Sequence, residues 1–215
     1  MAEGDDTRTK LLTTAIRLFG DCGYDAVTTR MLADDAEANV AAIKYHFGSK
    51  DDLYVAAIDH IVGLMAPRLE LVLSMAGQAR SIAGNDPERQ AVLIKQVVEA
   101  VLGVFLGAEF RPVVRFVLRE LLFPGPHFPR VYDAIPRQLH EAWTDIVAWV
   151  LELDAADPVA IVRSQAVIGQ VIVYQVGRAI LQRRLGVDDY GEAELALIHQ
   201  QATASILMSL GLPHD

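Results

Sequence analysis

The densest group of side chains able to do chemistry lies between residues 28 and 50. It begins with Thr28-Thr29-Arg30 and continues through Asn39-Val40-Ala41-Ala42-Ile43-Lys44-Tyr45-His46-Phe47-Gly48-Ser49-Lys50. Hydroxyls, an amide, a guanidinium, two ammonium groups, a phenol and an imidazole stand close together there. Such groups suit phosphate oxygens and the edges of bases. The chemistry on offer is recognition rather than bond breaking. Elsewhere the sequence holds no nucleophile elbow, no Walker-type loop, no Cys/His metal spacing and no His-Glu-x-x-His helix. His140 and Glu141 are adjacent, so on a helix they point in different directions. No catalytic residue, metal or cofactor is expected.

Groups of this kind read a duplex only when short helices hold them. Thr28 and Asn39 are good N-cap residues, opening helical units over about 28–36 and 39–47. The second unit carries Ala41 and Ala42 near its start, small enough to let its backbone enter a major groove. Lys44, Tyr45 and His46 flank them, while Ile43 and Phe47 are placed to face inward. Thr29 and Arg30 sit at the start of the first unit, where free amides also suit phosphate. Lys50 falls in the first turn of a further helix opened by Ser49. Ahead of all three, Leu12, Ala15, Ile16 and Phe19 repeat at helical spacing, preceded by Asp5 and Asp6 and ended by Gly20-Asp21-Cys22-Gly23.

Taken singly, these side chains have plainer readings. Lys44 and Lys50 read equally as solvated charges, His46 as a surface histidine without a task, and Tyr45 and Phe47 as ordinary core aromatics. The joint spacing is what favours recognition.

The rest of the chain is also helical. The helix opened by Ser49 runs through His60, and further helices are expected at about 63–80, 87–106, 109–122, 130–153, 158–185 and 192–211. Pro, Gly and Asn clusters separate them, and Asp157-Pro158 pairs an N-cap with proline at the first helical position. No alternating strand pattern appears. The expected fold is all-α: a three-helix N-terminal domain over 6–50 and a larger helical body over 51–215.

Composition narrows the class. Of 215 residues 52% are hydrophobic and 22% charged, which excludes disorder. The net charge is −9, and residues 1–50 hold six Lys and Arg against eight Asp and Glu. That is a weak electrostatic footprint for a nucleic-acid binder, although Glu3, Asp5 and Asp6 lie at the extreme N-terminus. Glu99 and Gln170 interrupt the two best apolar runs, so no membrane span is expected. An acidic start and a single Cys22 fit a soluble cytoplasmic protein.

From about Arg8 to Leu53 the chain resembles the TetR/AcrR family of transcriptional regulators. Leu18-Phe19, Gly23-Tyr24, Thr28-Thr29-Arg30, and the aromatic-His-Phe then Ser-Lys junction carry the match. The family usually has Gly between the second and third helices; here Glu37 stands there, at a cost of about 1 kcal/mol if it turns left-handed. Position 44, often Tyr in the family, is Lys. More loosely, Phe110-Arg111-Pro112, Arg115, Arg119-Glu120 and Pro124-Gly125-Pro126-His127-Phe128-Pro129 resemble the sensor domain of the CecR-like branch.

The resemblance implies a repressor that binds a palindromic double-stranded operator as a homodimer and is released by a small molecule. DNA contact falls on Thr28, Thr29, Arg30, Asn39, Ala41, Ala42, Lys44, Tyr45, His46 and Lys50. Dimerisation is expected in about 158–211, whose helices are apolar on more than one face; a charge at Ile168 or Val171 is expected to give folded monomers. The alternative there is an internal helix of a monomer. Effector residues are sought among Arg115, Arg119, His127, Trp143, Gln170, Tyr174 and Arg178, polar or aromatic groups within apolar helices. The plainer reading, favoured for any one residue, has Arg115, Arg119 and Glu120 as internal salt bridges and Trp143 as core. An α-helical enzyme and a dimeric adaptor that ignores DNA are the competing functions.

Overall fold

The structure, a computed structural model, describes residues 2–214, with side chains from residue 6 onward; the side chains of Glu3 and Asp5 lie outside the described residues. Eleven α-helices run in order: α1 Ala2–Cys22, α2 Thr29–Asp35, α3 Val40–His46, α4 Lys50–Ala83, α5 Pro87–Leu106, α6 Arg111–Leu122, α7 Phe128–Ala134, α8 Pro136–Val150, α9 Pro158–Val176, α10 Arg178–Leu185 and α11 Glu192–Ser209. One 3-10 turn, Ala108–Phe110, precedes α6. Among the described residues there is no strand.

The helices form two compact units, one of residues 1–67 and 109–136, the other of 68–108 and 137–215. In the first, α1 buries Leu11, Leu12, Ala15, Ile16 and Phe19 against α2, α3 and α6. α1 ends at Cys22, within the expected Gly20-Asp21-Cys22-Gly23 stretch, and Gly23 follows at a φ of +85°; Gly20 itself serves packing, since a Cβ there would stand 3.0 Å from the Phe116 backbone nitrogen. Leu53, Tyr54, Ala57 and Ile58 of α4 and Phe116 of α6 complete this core.

Local chemistry sets the ends of α2 and α3. The Thr28 hydroxyl accepts from the Met31 amide and the Asn39 side chain from the Ala41 amide, at 3.2 and 2.9 Å. Between the helices Glu37 takes a φ of +52°, the left-handed geometry for which glycine is best suited. Ser49 opens α4 through its exchange with Asp52, accepting from the Asp52 amide at 3.0 Å.

Three expected boundaries differ. The connector and the next helix are one element, since α4 runs unbroken to Ala83 and absorbs Pro67. The expected 130–153 helix is two, split at Ile135, because proline at 136 has no amide to donate and drives its predecessor out of the helical region. Likewise 158–185 is divided at Gly177.

The second unit centres on Ile94, Val97, Val98, Val101 and Leu102 of α5, Trp143 and Val147 of α8, Val167, Ile168 and Val171 of α9, and Ile198, Ala202 and Ile206 of α11. Asp86 and Asp157 cap α5 and α9 beside Pro87 and Pro158. Ile168 and Val171, 3% and 2% exposed, face this core and not an outer surface. A charge at either would disrupt the fold of one protomer, so the test of dimerisation belongs elsewhere on α9.

Candidate nucleic-acid interface

α3 has one buried residue, Ile43, and presents Val40, Ala41, Lys44 and Tyr45 outward. Tyr45 is 84% exposed, an extreme for so large a ring. His46 is half-buried, its ring 4.9 Å from that of Tyr45 and 6.2 Å from that of Phe47. Arg30 on α2 is open to solvent, with Asp34 one turn away at 3.7 Å. Such a pair is worth little and yields easily to a phosphate. Thr29 is half-buried beside it.

Lys50 has a different setting. Its ammonium donates to the carbonyls of Tyr24 and Val27 at 3.0 and 2.9 Å and lies 4.0 Å from the centre of the Tyr24 ring. Two of its three donors therefore hold the α1–α2 link against the start of α4. Thr28 and Asn39, similarly, spend their side-chain oxygens on helix caps.

The expected effector residues divide between the units. In the first, Arg115 pairs with Asp21 at 2.7 Å, Arg119 donates to the Asp21 carbonyl at 3.3 Å, and His127 Nε2 lies 2.8 Å from Asp51 Oδ1. His127 also stacks near Tyr24 and Tyr54. In the second, Trp143 is core at 1% exposure, and Gln170 reaches Ser209 with its amide nitrogen at 3.4 Å. The Tyr174 carbonyl accepts from the Tyr190 hydroxyl, and Arg178 pairs with Asp189 over the Tyr190 ring. Three of the seven thus lie in the first unit, where Arg115 and Arg119 share Asp21, and four in the second. Sequence reasoning missed Tyr54 and its bond to Glu120; their separation by 66 residues left no local signal.

Among the described residues, no group of three or more His, Cys, Asp or Glu side chains is placed to hold a metal ion.

Residues 11–57 match the tetR family of bacterial regulatory proteins, and residues 91–212 match the C-terminal domain of the HTH-type transcriptional dual regulator CecR. The chain belongs to the TetR family. It is 29% identical over 206 residues to the dual regulator CecR of Shigella flexneri, covering 95% of this chain and 91% of that one. The repressor AcnR of Corynebacterium glutamicum is 33% identical over 94 residues, covering 41% of this chain and 48% of its own. Among solved structures, PfmR of Thermus thermophilus superposes with a TM-score of 0.59 at 19% identity, covering 95% and 96% of the two chains. SmeT, solved with triclosan, gives 0.58 at 16% identity, covering 94% and 90%. The TetR-family chain is thus a transcriptional regulator rather than an enzyme, and its all-α fold with an N-terminal helix-turn-helix is that of the family.

Proposed function

We propose that this regulator is a cytoplasmic repressor that binds a palindromic operator as a homodimer and leaves it when a small molecule binds. Residues 6–50 form the DNA-binding part and 51–215 the effector and dimerisation part. The observation that carries the reading is α3 itself: Ala41 and Ala42 leave its start slim, while Lys44 and the 84% exposed Tyr45 project from the same short helix. Thr29, Arg30 and His46 extend that face, with Thr28 and Asn39 fixing the helix starts and Lys50 offering its remaining donor to a phosphate. A two-fold pair of such heads reads half-sites about 34–36 Å apart.

The dimer reading rests on α9. Val162, Ala166, Gly169, Val173 and Val176 recur at alternating steps of four and three and are all exposed. That is the near-heptad spacing by which helices pack across a two-fold axis. The same apolarity makes α9 long and apolar enough, by composition, to cross a membrane; its other face is nevertheless built into the core. On α11, Leu197 and Met208 are likewise apolar and exposed. For the effector, the triclosan bound to SmeT supports a small aromatic ligand.

Electrophoretic mobility shift with the DNA upstream of the regulator's own gene tests the reading. A sequence-selective complex supports it, and retardation no stronger than on unrelated DNA overturns it.

A further inference from the structure

The second unit contains a cleft of about 780 Å³ between α5, α11 and the tail at Pro213-His214. That volume is in the range of small-molecule sites. Glu88, Lys95 and Glu99 line it from α5, and His199, Thr203, Ala204 and Leu207 from α11. None of these is among the residues that sequence reading assigned to an effector.

Thr203 is the informative member. It is only 6% exposed, and its hydroxyl oxygen has no hydrogen-bond partner. A helical threonine commonly bonds back to the carbonyl of the preceding turn; this one does not. A buried hydroxyl facing a cleft without a partner is a group awaiting one. Among the described residues no ion pair engages Glu88, Lys95 or Glu99. Histidines aside, the lining carries two negative charges and one positive, and burial holds the His199 pKa below its usual value.

On α11 the lining residues 196, 199, 200, 203, 204 and 207 share one face, which borders the exposed Leu197 and Met208, so the test has to separate a ligand from a second copy of the chain.

We propose that this cleft binds an amphipathic organic cation, with its apolar body against Ala204 and Leu207, its polar group on the Thr203 hydroxyl and its charge beside Glu99. This deepens the effector-responsive reading by giving a site and a ligand chemistry. The binding is measured without DNA, so its failure and that of operator recognition are separate results.

Three probes share one aromatic body and differ in charge: 1-naphthylmethylamine, 1-naphthylmethanol and 1-naphthoate. Titration followed by amide chemical shifts in the full chain should place the amine between α5 and α11, at least fivefold tighter than naphthoate, with the alcohol between them. Glu99→Gln should narrow the amine–naphthoate gap at least threefold. Ala204→Trp should fill the cleft and abolish amine binding, while circular dichroism and sedimentation match the parent. If that variant does not fold, the shift map and Glu99→Gln decide alone. Any of four results overturns the proposal: no saturable binding, equal or tighter naphthoate, shifts located elsewhere, or a folded Ala204→Trp that breaks a dimer and so makes the cleft a contact between copies.

Discussion

Gly20 of α1 and Phe116 of α6 meet backbone against backbone. A Cβ on residue 20 would stand 3.0 Å from the Phe116 nitrogen, 3.3 Å from its Cα and 3.4 Å from the Pro112 carbonyl. Neighbours of this kind are main chain and cannot swing aside. The contact joins a helix from the start of the sequence to one nearly a hundred residues later, and it sets how closely they pack.

Gly20→Ala should therefore lower stability. Helix propensity favours alanine by up to about 1 kcal/mol, but overpacking costs about 1–3 kcal/mol. A net loss of about 1 kcal/mol in urea unfolding is expected. Gly103→Ala is the control, since a Cβ there meets nothing within 4 Å, and it should be neutral or stabilising. A Gly20→Ala protein as stable as the parent would show that α1 and α6 separate freely.

The Tyr54 hydroxyl donates to Glu120 Oε1 at 2.5 Å, and Glu120 Oε2 is buried without a partner. Tyr54→Phe should cost about 1–3 kcal/mol by leaving the whole carboxylate unpaired. Burial, and then the bond to Glu120, push the Tyr54 pKa above its usual 10. A raised tyrosine pKa means stability that is complete below pH 10 and is lost as pH rises toward the folded-state value. Alkaline unfolding curves of the parent and Tyr54→Phe should thus converge above pH 10. Curves that stay parallel would remove this linkage.

Lys44→Ala should weaken operator binding by about 1–3 kcal/mol if the ammonium reads a base edge. If it reads phosphate, all sequences should weaken alike and the salt slope should fall by about one. Arg30→Ala is expected to follow the phosphate pattern, because Arg30 is open to solvent and its ion pair is with the exposed Asp34. Affinity unchanged in both variants, measured by fluorescence anisotropy, would remove the recognition face.

Val173→Glu and Val162→Glu place a charge on the outer stripe of α9, where the parent residues are 54% and 70% exposed. Sedimentation should show folded monomers with weakened operator binding, since each half-site then binds alone. A wild-type monomer at micromolar concentration would end the claim.

His140 has its pKa lowered from 6.5 by burial. The unfolded chain then takes up a proton more readily than the folded one, so this group's contribution is intact above pH 6.5 and declines as pH falls through the folded-state value. His140→Gln should flatten the stability profile on the acid side and leave the neutral plateau in place. Thermal melts from pH 8 to 5 make the comparison, and an unchanged acid slope would exclude His140 as a contributor.

Much of the fold was legible because its signals are local. Thr28, Asn39, Asp86 and Asp157 each cap the helix that follows, and Glu37 takes the left-handed turn between α2 and α3. Ile43 faces inward as its spacing requires. Proline effects were harder to read: Pro67 is carried within α4, whereas Pro136 splits a helix at Ile135, and tertiary support decides between the two. The packing role of Gly20 left no local signal because its partner, Phe116, is remote in sequence. The partner of Arg115 was hidden for the same reason: it finds Asp21 across 94 positions, a pairing no periodicity reveals.

The helix-turn-helix unit is assembled from two separated stretches, 1–67 and 109–136. During synthesis the first stretch leaves the ribosome without α6, so the surface around Gly20 and Phe19 waits bare until the intervening residues 68–108 have followed. The head is therefore complete only once residues 109–136 have emerged, and the body only once residues 137–215 have followed. Exchange between relatives meets the same constraint. A transplant of residues 1–50 alone would carry the groups that read DNA but abandon the helix on which α1 rests, so a working chimera has to inherit both pieces together.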